Sequence, residues 1–533
     1  MPKSGLLIDI LGASIAISAD EEPEYLDALL AKYRAAVEDA QRVSGLDDPL
    51  KIAILTGFLL CNDLQQTGTA FSGEKDSGEF EQITLGMISS LSDLDELVQA
   101  APQPGAGKDP AAFFKLKNTV KHYDWGSPEA LPTLLGQINP SRIPWAELWM
   151  GAHHGGSSEV LLESGETLPL PELIAADPKA FLGKETAQAF GKLPFLFKAL
   201  AAAKPLSVQA HPNQAQAREG FQRENREGIP LDAPGRNYRD ACHKPEIFCA
   251  LTPFAALCGF RELGEIKNLA RILAEAIHSQ NGEAHLRNDV DSLVCALQQQ
   301  EENPFKAFLA ALFSLSAETC KALGSFIRNR QTLLEQTFPE YKDEWTLCAY
   351  FAGLYPGDHG IIAPLYLNII KLDPGQAIYI PSGILHSYIH GMGIELMADS
   401  DNVLRGALTS KRRDADELLR ILAFSAYKPQ ALIHRAPELT WFNYPTPAAE
   451  FTLSIAQSGG SCIPYPQKEA CIIMVVEGEM TMTARGEKTG SGDAAMTLNT
   501  GESAFIPAGS AARLELSGAF TAYAASAADP RPA

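Results

Sequence analysis

The order of apolar and polar positions divides the chain into stretches of different texture. GLLIDILGASIAIS, residues 5–18, predicts one or two short strands with a turn near Gly12. Leu26, Leu29, Tyr33, Ala36, Val37 and Ala40 recur at helical spacing, and Gly45 suits the end of that helix. Asp48 is placed as an N-cap and Pro49 as the first residue of the next helix. That helix, 49–66, is apolar on most sides and needs a partner, either elsewhere in the chain or in a second copy. GTAFSGEKDSGE reads as a loop, and a further helix is predicted from Phe80 to about Ala100. APQPGAGKDPAA, residues 101–112, has the composition of an interdomain linker.

From 113 the pattern becomes short strands and loops. Between 262 and 345 it turns helical, in ELGEIKNLARILAEAIHSQ, VDSLVCALQQQ, PFKAFLAALFSL and AETCKALGSFIRNRQTLLEQ. Strands return from 360, with one helical interruption at 414–424. LDPGQAIYIPSG (372–383) and LNTGESAFIPAG (498–509) align without a gap and share five of twelve positions. Each is a glycine turn, a short strand and a proline corner. Two such units predict two related β-barrels of the jelly-roll or cupin kind.

Composition narrows the function classes. At 533 residues the chain is long enough for three or four domains, and 46% hydrophobic with 20% charged residues is ordinary for a globular protein. The net charge of −21, more than half of it in the first 110 residues, argues against nucleic acid or an anionic membrane as a partner. The nine cysteines are scattered without a CxxC, which fits free thiols in a reducing compartment. No run reaches the roughly 18 apolar residues of a membrane helix. Asp9 interrupts the apolar start, so it reads as part of a folded, cytoplasmic protein and not as a signal peptide.

Candidate chemistry gathers at strand ends. PLSVQAHPNQAQA (205–217) places Gln209 and His211 two apart, hence on one face of a strand that stops at a proline. CHKPEIFCAL adds His243 and Glu246, and IPSGILHSYIHG adds His386. The second repeat has Ala512 where the first has His386, so the fold does not need that histidine. Two imidazoles, a carboxylate and an amide oxygen suit Zn²⁺ with positions open to substrate. On sequence alone His243, His390, His153 and His154 compete for the same role. Lys198, Lys204, Arg239, Lys244, Arg405 and Lys411 form a basic set in an acidic chain. GIELMADSDNVLRGALTSK (393–411) packs Glu395, Asp399, Asp401, Arg405 and Lys411 together. A base, a cation and a metal are what enolisation requires.

NTVKHYDWG, AELWMGAHHGGSS, LPFLFKALAAAKPLSVQAHPNQ, HKPE and IPSGILHSYIHGMGIELMADSDNVLRGALTSK together closely resemble type I phosphomannose isomerase, over about 113–533. The resemblance implies one Zn²⁺ per chain held by Gln209, His211, Glu246 and His386. It implies an active-site arginine at Arg405, with Lys244 and Glu395 as candidates for the catalytic base. It further implies pocket residues at Lys198, Trp125 and Ser158, with Lys411 among the lysines that hold a phosphate. The expected reaction interconverts mannose 6-phosphate and fructose 6-phosphate through a cis-enediol; a non-catalytic cupin that binds sugar phosphates or serves assembly is the alternative. The family usually has His-Pro where this chain has His153-His154, which puts the shape of that loop in question. Residues 5–66 are similar in pattern to ZapA-like cell-division proteins, which associate through a long helix and bind FtsZ. The coiled-coil extension of that family is truncated here, so self-association through residues 20–66 is the part expected to survive.

The expected fold is mainly β with helical insertions: cupin-type jelly-roll β-barrels plus a helical domain, preceded by a small α+β N-terminal domain. The expected domains are 1–100, a linker at 101–112, a catalytic cupin part at 113–261 and a helical insertion at 262–345. The catalytic part then continues over 346–429, and a C-terminal barrel occupies 430–533.

Overall fold

The computed structural model describes residues 4–10, 13–19, 36–37, 112–162, 164–279, 284–299, 303–434, 441–485, 494–510 and 514–528. It divides into two units, Met1–Asp109 with Asn225–Pro230, and Pro110–Glu224 with Leu231–Ala533. In the first, strands Ser4–Ile10 and Ala13–Ala19 pair antiparallel, with Ser4 opposite Ala19 and Ile10 opposite Ala13. The stretch expected to form one or two strands thus forms two. Ala36 and Val37 are helical. The other residues of the helix expected there lie outside the described residues. So do the helices expected at 49–66 and 80–100, the loop between them, all of the linker before Ala112, and most of the segment expected to self-associate.

The second unit is built on two 11-stranded sheets. The first is organised by His386–Ala398, a 13-residue strand. Its first half pairs with Phe254–Phe260 and touches Val208–Ala210, and its second half pairs with Phe195–Ala202 and Glu246–Ala250. The change of partners falls at Gly391 (φ +118°), where a Cβ would lie 2.7 Å from Pro253 O and from the Phe254 ring. Only glycine lets the strand turn there against a neighbour that close. Phe195–Ala202 and Glu246–Ala250 are buried along their whole length. They read as continuous apolar runs because both faces are covered. A charge inside such a run, Lys198, needs a partner.

The second sheet is organised in the same way by Cys471–Ala484. That strand changes partners near Gly478 (φ +80°), where a Cβ would meet Ala519 O at 2.0 Å. The repeat seen in the sequence is also a repeat of backbone. Gly375 and Gly501 have φ of +83° and +89°, and Gly383 and Gly509 have φ of +80° and +79°. The strands Gln376–Ile380 and Ser503–Ile506 lie between each pair.

Phe114–Lys117, Glu159–Leu161 and Thr167–Pro169 join the second sheet, although Thr119–Lys121 and Glu147–Gly151, which lie between the first two of them in the chain, belong to the first. An apolar cluster ties the two sheets together, with Phe197, Ile247 and Leu396 from one against Phe451, Ile472 and Tyr523 from the other. The helical section consists of Leu263–Ser279, Ala284–Ala296, Pro304–Ser314, Ala317–Thr337 and Lys342–Leu354. Asn303 and Ser316 cap two of these helices through their side chains. Their apolar faces share a core with Val208, Leu257 and Leu404 next to the candidate site. The short helices Leu170–Ala176, Pro178–Leu182 and Lys184–Phe190, and the polar helix Gln214–Arg226, carry too little apolar periodicity to be expected from the sequence. No single helix among the described residues is long and apolar enough to cross a membrane.

Candidate metal centre and the surrounding cleft

Three strand ends meet at one buried point. Gln209 lies on Val208–Ala210 with His211 just after it, Glu246 opens Glu246–Ala250, and His386 opens His386–Ala398. Gln209 stands directly opposite His386, and Arg405 opposite Gln209 on its other side. His211 Nε2 is 3.2 Å from Glu246 Oε1, and His386 Nε2 is 3.3 Å from Glu246 Oε2. His211, Glu246 and His386 are each 1% exposed. That burial would be costly for polar groups without a ligand.

Hydrogen bonds set which ring nitrogens are free. His211 Nδ1–H donates to Asn402 O at 2.7 Å, and His386 Nδ1–H donates to Ile384 O at 3.0 Å. Both rings therefore present the Nε2 lone pair to the same place, the arrangement a metal ligand needs. His211 Nε2 and Glu246 Oε2 are buried without a hydrogen-bond partner. Burial pushes the His211 imidazole down to about 4, so the ring is neutral. Burial opposes ionisation of Glu246, but the neighbouring groups, the ammonium of Lys244 at 3.3 Å among them, hold its carboxyl well below the usual range. Gln209 Oε1 accepts from the Ser207 hydroxyl at 3.0 Å, and its amide nitrogen is 3.5 Å from His386 Nε2. A half-turn of that amide brings its oxygen to the side a cation requires. The donor set fits a divalent metal of the zinc class.

The competing histidines separate from this point. His153, His154 and Asp401 also come close together. There, however, the Gly155 N–H donates to His153 Nδ1 at 3.0 Å. The neutral His153 ring must then carry its proton on Nε2, which faces Asp401 Oδ1 at 3.4 Å, with Asp399 Oδ1 3.8 Å away. That tautomer has no lone pair to offer a metal. His243 Nε2 is taken by Glu450 Oε1 at 2.7 Å, and His390 is exposed.

A cleft of about 1020 Å³ opens over the centre, with Gln209 and Glu246 in its lining. Trp125, Lys198, Lys244, Glu395, Arg405 and Lys411, all expected in the pocket, line it too. Ser158 does not. Its side chain is fully buried, donating to Asn118 Oδ1 at 2.8 Å and accepting from the Gly151 N–H at 3.0 Å, so its hydroxyl is used structurally. Lys198 is held by Glu395 at 2.9 Å and by Glu147 at 3.5 Å. Burial would discharge its ammonium, but these two carboxylates overcome that and raise its pKa. Burial raises the Glu395 carboxyl, with Lys198 pulling the other way. Arg405, Arg239 and Lys411 line the same cleft and have no ion-pair partner among the described residues. Burial first, then the charge of Arg239, lowers the Arg405 pKa; burial first, then Arg405, lowers that of Lys411. Cations that repel one another and lack an ion-pair partner make a site for an anion.

Glu147 and Asn402 do not stand out in the sequence. Glu147 accepts from Trp149 Nε1 at 2.7 Å beside Lys198. The signal that could have found it is a lone acid in ELWMG, a strand that is otherwise apolar and wholly buried.

A family model for the catalytic domain of type I phosphomannose isomerase matches residues 113–263. Mannose-6-phosphate isomerase of Escherichia coli strain K12 is 38% identical over 398 residues, which cover 74% of this chain and 94% of that protein. The human mannose-6-phosphate isomerase is 31% identical over 424 residues, 76% and 95% of the two chains. A crystal structure of mannose 6-phosphate isomerase from Salmonella typhimurium, bound to its substrate fructose 6-phosphate and to zinc, superposes with a TM-score of 0.67 at 34% identity. It covers 78% of this chain and all of that one. A zinc-bound holo structure of mannose 6-phosphate isomerase gives 0.68 at 34% identity, with the same coverage.

Proposed function

The chain belongs to the mannose-6-phosphate isomerase family, and from that premise we propose how its residues divide the work. It interconverts mannose 6-phosphate and fructose 6-phosphate with zinc as its cofactor. The observation that carries the reading is the convergence of His211, Glu246 and His386, with two buried lone pairs unpartnered, at a cleft that also holds three cations without an ion-pair partner among the described residues.

Gln209, His211, Glu246 and His386 hold the metal. When bound, zinc supplies a Lewis acid that polarises the sugar's carbonyl oxygen. Arg405, Arg239 and Lys411 take the phosphate, whose charge answers theirs. In the forward direction the proton on C2 leaves to a base while O1 gains a proton, giving the cis-enediol. The hydroxyl at C2 then loses its proton and C1 receives one, so the carbonyl moves from C1 to C2. Glu395 is our choice for the proton carrier. It lines the cleft, and burial raises its carboxyl toward the working range of a general acid–base. Lys198 fixes its orientation. Lys244, in contact with Glu246, stabilises negative charge as it develops on the substrate's oxygens. The reading includes a cytoplasmic location, supported by the eight described cysteines, which are all free.

The test is a coupled assay from mannose 6-phosphate to fructose 6-phosphate, before and after chelation and with Zn²⁺ restored. Activity should vanish on chelation and return with zinc. Turnover that survives thorough metal removal would overturn this division of labour.

A further inference from the structure

We propose that Asn402 and Asp240 are positioning residues that couple the metal-binding imidazole of His211 to the anion-binding Arg239; this rests on the isomerase reading above. Asn402 is fully buried, and every polar atom of its side chain is used. Its Nδ2 donates to Asp240 O at 2.8 Å and to Cys242 O at 2.9 Å, and its Oδ1 accepts from the Arg239 N–H at 2.8 Å. Its own carbonyl accepts the His211 Nδ1–H that fixes the tautomer of that ring. Asp240 answers from the other loop. Its carboxylate accepts from the Ser400 hydroxyl at 2.9 and 3.1 Å, from the Asp401 N–H at 2.8 Å and from the Cys242 N–H at 2.8 Å.

Each loop therefore satisfies the backbone of the other. Asparagine is the side chain that can both donate twice and accept here, and aspartate is the one that can accept from several donors. On the far side of Arg239, Glu224 accepts from the N–H groups of Asn237 at 3.1 Å and of Tyr238 at 2.9 Å. The backbone of Arg239 is thus pinned from both directions while its side chain faces the cleft. Arg405 follows Asn402 by three residues, and Lys244 follows Cys242 by two. One interlocked pair of loops carries the anion site and sets the orientation of a metal ligand. A ligand that orders one loop must then act on the other, and the effect must be reciprocal.

The experiment measures zinc affinity by competition with a chromophoric chelator, without and with fructose 6-phosphate, for wild type, Asn402→Ala, Asp240→Asn and Arg239→Ala. Asp240→Asn keeps the shape of the side chain, so it reports even if Asn402→Ala fails to fold. Expected for both interlock variants is a loss of zinc affinity of about tenfold or more, as for other residues that orient a metal ligand. The factor by which fructose 6-phosphate tightens zinc binding should also fall toward one. Arg239→Ala should weaken the sugar phosphate and leave zinc affinity in its absence unchanged. Unchanged zinc affinity in both interlock variants overturns the proposal, as does weaker zinc with the wild-type coupling factor intact. Failure of the isomerase reading would show separately, as a zinc-loaded wild type that neither binds nor turns over fructose 6-phosphate; the affinities without sugar would still decide whether the interlock sets His211.

Discussion

A metal ligand is distinguished from an ordinary buried histidine by one hydrogen bond. His211 and His386 turn Nδ1 to a carbonyl and keep Nε2 free, whereas His153 accepts at Nδ1 and must donate from Nε2. The family resemblance carried by extended motifs implies Gln209, His211, Glu246 and His386 as the ligand set. Sequence order alone leaves the competing histidines open, because tautomer is set by partners distant in the chain. The same limit applies to Lys198, expected as a substrate-binding pocket residue with ordinary ion pairing as the alternative. Its registry opposite Glu395, one strand away, makes it an ion pair. Glu395→Gln tests the proton carrier most directly. The amide keeps the shape and can still accept from Lys198, but it cannot take up a proton. The value of kcat should fall by about 10²–10⁴, with zinc content unchanged because Glu395 is not a ligand. Near wild-type kcat in that variant would pass the role to Lys244.

At the scale of the element, the working parts depend on how a long strand bends. His386 and Glu395 lie on one strand, yet one meets the metal centre and the other the Lys198 pair, because the strand changes partners at Gly391. Glycine spacing in the two repeats is legible in the sequence, and their matching positive φ values explain why it is kept in both copies. The bend within the long strand is not legible, since nothing local marks Gly391 as the residue closest to Pro253 and Phe254. Gly391→Ala places a Cβ at 2.7 Å from both, at a φ that L residues avoid. Strain and overpacking together should cost about 2–4 kcal/mol, read as a lower thermal unfolding midpoint, and kcat should drop as His386 and Glu395 shift. A variant as stable and active as wild type would show that the bend has another origin.

Across the whole chain, the long-range order of strands is the feature least visible in the sequence. Phe114–Lys117 pairs with Ser503–Ile506, nearly four hundred residues away, and no local pattern announces such a partner. The consequence is that the sheet built on 471–526 is continuous with strands expected in the catalytic part. Glu450, just before its strand Thr452–Gly459, also reaches back to His243 beside Lys244. The region from 113 to the C-terminal strands should therefore behave as one working body. Relatives and solved structures support this, since 74–79% of this chain accounts for 94–100% of several of theirs. Residues 1–105 carry more than half of the net negative charge, and every cleft residue given a role above lies after them in the chain. Their removal should leave kcat and KM for mannose 6-phosphate within about twofold, because both are set by groups that stay in place. If residues 20–66 drive self-association, light scattering will report a smaller particle at the same time. A soluble, zinc-loaded truncation without activity would show that the N-terminal segment supports catalysis and is not a separate module.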